Sequence, residues 1–252
     1  MACYFLLAQQ KQGKVVYQRV AQLNIQINDE AMAQMLPKTR TDNFELSFGN
    51  NQSLWTMQEE EMDNNDAGSG GMGFVMIRGG QGDIVFNDFN TGKRLEQREM
   101  FDKKFLIEDS IRKLTWKLTD ETQTILDHLC RKAVSQRIQQ RMQMSMENGK
   151  MERKEVSDTV PIVAWFTTDI PVSAGPEVQG QLPGLILALD MNNGRMVYKA
   201  TSISDKVDLA SIKAPTKGKK VTPEEFRTES NKMMDEMQKN MGAGGNRVII
   251  RN

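Results

Sequence analysis

The dipeptide Asn148–Gly149 does more than any other feature to limit how this chain folds. Asn–Gly suits the two positive-φ positions of a type I′ turn, the tight connection whose twist matches that of paired strands. It joins a strand ending near Met146 to one beginning near Met151, and it sets a register in which paired residue numbers sum to about 297. Cys130 then falls near Thr167, and Ala133 near Ala164. One long hairpin is expected, with its base in the core and its tip, near 140–157, projecting.

The rest of the chain carries many short strand signals. Asn192–Asn193–Gly194 is a second turn of the same kind, between Gly184–Met191 and Arg195–Ile203. Val15–Val16–Tyr17 and the strictly alternating Leu23–Ile25–Ile27 come early. Ala31–Leu36 then has a short helical pattern stopped by Pro37. Phe44–Leu46–Phe48 and Leu54–Trp55 flank Gly49–Asn50–Asn51 and read as a hairpin. Residues 58–73 are acidic, then glycine-rich, and read as a flexible loop. No Lys–Ser/Thr pair follows the glycines, so they make no phosphate cradle. Phe74–Ile77 and Asp83–Phe86 are expected to pair around Gly79–Gly80. Arg94–Ile107 reads as one long extended segment and Leu114–Trp116–Leu118 as an alternating strand. Asp120–Glu121 reads as a turn, and Ile125–Val134 as a strand through Cys130.

Past Ile203 the strand pattern fades. Residues 213–221 are a basic linker without the interleaved aromatic residues that stack on bases. Thr222 is a helix N-cap, with Pro223 at the first helical position and Glu225 completing a capping box. Phe226, Met233, Met234, Met237 and Met241 share one face of the helix expected over 222–241, and a tail of 242–252 follows. The expected fold is mainly β: a curved antiparallel sheet, open or half-closed like part of a barrel, with a C-terminal amphipathic helix. The β-rich domain spans 9–212, and the projecting hairpin spans 134–163.

Lys+Arg and Asp+Glu both number 33, so no net charge draws the chain to nucleic acid or anionic membrane. Hydrophobic residues make up 38% and mean hydropathy is -0.54, which suits one core carrying polar segments. The apolar run Ala2–Ala8 is too short to span a bilayer. It looks like the end of a secretory leader cleaved after Ala8, although no Lys or Arg precedes it. Removal of residues 1–8 leaves Cys130 as the one cysteine, read as a small buried hydrophobe. His128, two residues earlier, is the single histidine, and no third group is indicated for a catalytic pair. One His and one Cys do not make a zinc site. No cofactor and no catalysis are expected.

The 18 methionines invite a separate reading. Met142, Met144 and Met146 fall on one strand face, with Gln143 and Ser145 on the other, and Met151 lies across the turn. Thioethers spaced two apart suit a soft cation such as Cu(I). They equally suit an adaptable apolar face for a partner or for the C-terminal helix.

Between Ala164 and Leu189 an aromatic strand, a loop punctuated by Pro and Gly, and an apolar strand follow one another. Pro171 and Pro176 hold the loop extended, and Gly175 and Gly184 permit close approaches. Leu185, Leu187 and Leu189 alternate with Ile186 and Ala188, as in a strand buried on both faces. Trp116, Cys130, Lys132–Ala133, Trp165, Ile170–Pro171, Gly175–Pro176 and Leu182–Pro183–Gly184–Leu185–Ile186 occur in the order found in the GLPGLI family, which this chain resembles over most of residues 14–235. Gln181 stands where the hexapeptide has its first glycine. The resemblance implies an exported, β-rich protein of Bacteroidota without assigned catalysis, periplasmic or associated with the outer membrane. Family genes often lie near outer-membrane transport components, which suggests a partner such as a TonB-dependent transporter. The expected function is thus a non-enzymatic cell-envelope protein that binds another protein. The residues expected to carry the contact are Trp165, Pro171, Gly175, Pro176, Leu182, Pro183 and Gly184 of the loop, with Met142, Met144 and Met146 of the hairpin. Copper binding by the methionines, and carriage of a hydrophobic ligand in the concave sheet, are the alternatives.

Overall fold

The computed structural model describes residues 10–23, 37–58, 83–147 and 150–242, with 141–155, 234 and 237–242 described by their backbone alone. Six strands come first: β1 (Gly13–Gln22), β2 (Thr39–Gly49), β3 (Gln52–Met57), β4 (Ile84–Asp88), β5 (Lys93–Met100) and β6 (Lys103–Ser110). They are followed by β7 (Lys117–Ile125), β8 (His128–Glu147), β9 (Lys150–Thr167), β10 (Leu185–Met191) and β11 (Met196–Ser204). A short β12 (Lys219–Val221) precedes the helix α1 (Pro223–Gly242). All twelve strands lie in one open sheet, in the order β12-β6-β5-β4-β3-β2-β1-β11-β10-β9-β8-β7. Each of the runs β1–β6 and β7–β11 is an antiparallel meander, and the two are joined where β11 pairs with β1.

The long hairpin has the register that the Asn–Gly turn demands. Every pair from Arg131↔Phe166 to Glu147↔Lys150 sums to 297, and Ala133 faces Ala164. Asn50–Asn51 and Asn192–Asn193 take positive φ, as expected of their turns. Two turns were not expected. The segment Arg94–Ile107 is not one extended run: it reverses at Phe101 and Asp102, with φ of 48° and 60°. Ile125–Val134 likewise breaks at Leu126–Asp127, with φ of 47° and 63°. Asp120–Glu121 is no turn but part of an irregularity within β7, between Leu118 and Thr122, and Leu114–Trp116 precede the strand as coil. β4 has β3 and β5 as its neighbours. The expected partner segment Phe74–Ile77 lies outside the described residues, as do 1–9, Ile25–Ile27, Ala31–Leu36, most of the 58–73 loop and the tail.

The sheet is covered on both faces. The register places Tyr17, Phe44, Leu46, Ser53, Tyr198 and Leu189 on one face, here the inner one. Segment 168–184, between β9 and β10, folds back across it. Segment 205–218 crosses the outer face, where Val207, Leu209, Ile212 and Ala214 pack with Leu54, Phe86, Leu95 and Leu106. Within β10, Leu185, Ile186, Leu187 and Leu189 are all 1% exposed or less, whereas Ala188 and Asp190 are half-buried, so burial on both faces, expected from the apolar run, holds only at the start of the strand. The basic stretch read as a linker ends as a strand: Lys219–Val221 add to β6 in parallel. The Thr222 backbone N–H donates to Glu225 Oε2 at 2.7 Å, and Thr222 Oγ1 accepts from the Glu225 N–H, which closes the capping box. α1 lies on the inner face at this edge. Phe226 meets the Phe105 ring edge-on at 5.3 Å, and Met233 is buried in the cluster with Ile107 and Val221.

Candidate functional site

The loop 168–184 contains most of the residues singled out in the sequence, and several of its polar side chains are fastened to the sheet. Ser53 Oγ donates to Gln179 Oε1 at 2.6 Å, and Tyr198 OH to Glu177 Oε1 at 2.8 Å. Tyr17 OH donates to the Ile186 carbonyl at 2.6 Å. Burial pushes the Tyr17 phenol pKa far above its ordinary value, so it stays a donor. Gln181 Oε1 accepts from the Leu114 N–H at 2.7 Å and from Trp116 Nε1 at 3.1 Å. The loop also supplements the sheet, because the N–H groups of Leu185 and Ile186 donate to the carbonyls of Ile170 and Ala174.

The nominated loop residues divide accordingly. Gly175, Pro176, Leu182 and Gly184 are buried, whereas Pro171 and Pro183 are exposed. A Cβ on Gly175 would come 2.6 Å from Ile186 Cβ, and one on Gly184 2.7 Å from the Thr167 carbonyl carbon. These glycines let two backbones approach, which is a structural use. Trp165 is half-buried on β9, with Lys132 Nζ 5.9 Å from its ring centroid. The two glutamines that fasten the loop, Gln179 and Gln181, were missed in the sequence because their partners are remote: 126 residues separate Ser53 from Gln179.

The loop makes Gln181→Gly informative, since that change would complete the Gly-Leu-Pro-Gly-Leu-Ile hexapeptide. It also strips the acceptor from Leu114 N–H and Trp116 Nε1. A loss of about 2 kcal/mol is expected in denaturant unfolding, the cost of two partly buried donors left unmet. An unchanged midpoint would refute this role of Gln181.

His128 and Cys130 do not form a couple. His128 Nδ1 lies 3.2 Å from Asp169 Oδ2, and the Cys130 thiol donates instead to the His128 carbonyl at 3.6 Å. Cys130 is fully buried, and burial, helped by the Asp169 carboxylate, pushes its pKa up to about 11. It stays a protonated thiol at neutral pH. Asp169 is the third group the sequence did not indicate; the β8–β9 register brings it to His128 across 41 residues.

Met142, Met144 and Met146 hold alternate positions on β8, opposite Glu155, Arg153 and Met151. β7 pairs with β8 no further than Val134, and β10 with β9 no further than Ile162. From Gln136↔Pro161 to Glu147↔Lys150, twelve pairs, the ribbon stands beyond its neighbouring strands. That length is about 40 Å. Ile138, on the face of the three methionines, is 78% exposed. Among the described residues no group of three or more His, Cys, Asp or Glu side chains is placed to hold a metal ion, and no helix is long and apolar enough to cross a membrane.

A family model described as "Protein of unknown function (Porph_ging)" matches residues 116–188, from the last residue before β7 into β10. No curated protein matches the chain. Among solved structures, PNGF-II in space group C2 is similar at a TM-score of 0.51 with 17% identity, over 86% of this chain and 32% of that one. PNGF-II in space group P21 is similar at a TM-score of 0.49 with 17% identity, over 87% of this chain and 33% of that one. The chain thus spans about a third of the PNGF-II chain, and at this identity the C2 likeness is one of fold.

Proposed function

We propose that this chain is a non-enzymatic cell-envelope protein of the GLPGLI family that binds a protein partner through its projecting ribbon. The observation that carries the reading is the ribbon itself. Two strands alone are marginal in water, because a two-stranded ribbon has no second layer to bury its apolar face. Here twelve successive pairs run past every neighbouring strand, with Ile138 exposed and methionine at three alternate positions. Methionine is flexible and polarisable, which suits an adaptable contact. The motif loop supports the reading from the other side. Its hydrogen bonds are directed inward, so it reads as the scaffold that braces the sheet, with Pro171 and Pro183 as its exposed points. The same loop lies on the inner face where a carried ligand would sit, which disfavours a carrier. We place the protein in the periplasm or at the outer membrane, exported by a leader ending near Ala8. The partner is then an outer-membrane transport component such as a TonB-dependent transporter.

The test is capture from detergent-solubilised envelope of the native host, using the tagged full chain and a variant with residues 139–158 replaced by a two-residue turn. A stoichiometric outer-membrane transporter bound by the full chain and lost from the variant is the expected result. Equal capture by both would sink the ribbon as the contact. Copper measured in the same samples decides the second reading, which the register Met146↔Met151 favours. One equivalent of Cu(I), lost when Met142, Met144 and Met146 become Leu, would move the methionines from contact to ligand.

A further inference from the structure

Among the described residues, the sheet has three open strand edges near the ribbon, and they are not alike. The outer edge of β7 carries Lys117, Asp120 and Glu121 and is broken by its irregularity, the usual guards against stray pairing. The outer edge of β9, past Ile162, carries Lys150, Glu152, Arg153, Lys154, Glu155 and Asp158 and begins at Pro161. The edge of β8 from Gln136 to Glu147 has no strand beside it among the described residues. It contains five successive uncharged residues, Met142-Gln143-Met144-Ser145-Met146, preceded by Arg141, which a two-fold axis at Met142 sets opposite Gln143, and has Arg137 and Glu147 near its two ends. Among the described residues, the Nε of Arg137 is buried without a hydrogen-bond partner, and Ile138 beside it is 78% exposed.

The register says which backbone groups face outward. Glu147↔Lys150 closes the two-residue turn as a hydrogen-bonded pair. Odd-numbered residues of this part of β8 therefore direct their N–H and C=O towards β9, and even-numbered residues direct theirs to the open edge. We propose that β8 pairs antiparallel with β8 of a second copy of the chain, about a two-fold axis at Met142. Met142 then lies opposite Met142 of the second copy, Gln140 opposite Met144, and Ile138 opposite Met146. All are even-numbered, as hydrogen bonding across this edge requires. Arg137 lies opposite Glu147 of the second copy, and by symmetry the pair forms twice. The two-fold axis uses the whole open edge and leaves neither of its charged ends unmatched. It also turns a two-stranded ribbon into a four-stranded one, past the three strands at which such sheets become self-supporting. One continuous face then carries Met142, Met144 and Met146 from both copies. The pairing stands whether or not a partner protein binds that face, since it is measured on the purified chain alone.

Sedimentation equilibrium of the full chain, from micromolar to submillimolar concentration, should show a monomer–dimer equilibrium. Glu147→Lys sets like charges against each other at both ends and should weaken the dimer about tenfold or more. Met142→Pro deletes an outward N–H that β9 does not use, so the hairpin is kept while the edge is blocked. Met142→Cys should crosslink to itself under diamide, because the pair at the axis has Cα atoms at a spacing a disulfide spans, about 5.5 Å. A monomer at every concentration overturns the proposal. So does a dimer indifferent to both Glu147→Lys and Met142→Pro, or one that crosslinks through Met144→Cys while Met142→Cys does not.

Discussion

Gly184→Ala is expected to lower stability by about 3 kcal/mol, the upper part of the range for an extra methyl forced into a packed interior. The added Cβ would collide with the Thr167 carbonyl oxygen, and it would lie 2.7 Å from the carbonyl carbon and 3.2 Å from the Thr168 nitrogen. All three are backbone atoms, so no rotamer change relieves the contact. Thr167 is the last residue of β9 and pairs with Leu185, the first of β10. Relief therefore means moving one of two paired strands. For a chain of this size the loss corresponds to a fall in Tm of roughly 6–12 °C. Gly194→Ala is the control. Gly194 has φ of 81°, but a Cβ there meets nothing within 4 Å, so only backbone strain is added. That is worth about 1 kcal/mol. Equal losses for the two variants in a thermal scan would show that close approach is not what Gly184 serves.

What could be read from the sequence divides by the range of the interaction. The Asn–Gly and Asn–Asn–Gly turns are local chemistry, and they carried the pairing of β8 with β9 and of β10 with β11. Phe101–Asp102 and Leu126–Asp127 make turns of the same positive-φ kind, in which Asp tolerates the left-handed region but Phe101 and Leu126 resist it, at about 1–2 kcal/mol each. Their conformation is imposed by the strands on either side, so no local signal announced them. β12 was hidden for a related reason. Lys219–Val221 is too short for any alternation, and its partner, Phe105–Ile107, lies over a hundred residues earlier. The run Leu185–Leu189 gave away its burial, but not what covers it. The loop on the inner face and segment 205–218 on the outer face are held by Gln179, Gln181, Leu209 and Ile212, whose partners lie in other strands and connections. In the candidate site the buried loop residues were visible as a motif because they serve the fold. Asp169 beside His128 follows from the register the Asn–Gly turn sets, since 128 and 169 sum to 297, but it lies past the end of β9 and was not read.

Phe166→Ala should cost about 4 kcal/mol, in the middle of the range for a buried aromatic residue truncated to alanine. Phe166 is 1% exposed, in the cluster with Ala133, Ala164, Leu182 and Ile186, so its removal empties space that both β10 and the motif loop line. Trp165, the neighbouring aromatic residue, lies half-buried, with the Lys132 ammonium over its ring. Water already reaches part of it, and Trp165→Ala should cost about 2 kcal/mol, because less apolar area returns to solvent and less cavity remains. In guanidinium unfolding the midpoint should fall about twice as far for Phe166→Ala, with the slope unchanged for both. The comparison bears on function as well as packing. If Trp165 serves a partner, Trp165→Ala must weaken capture from the envelope while the fold persists, and its smaller stability loss makes that readable. A Trp165→Ala loss as large as that of Phe166→Ala would mark Trp165 as core and leave the ribbon, with Ile138 and its methionines, as the surface on which the partner reading rests.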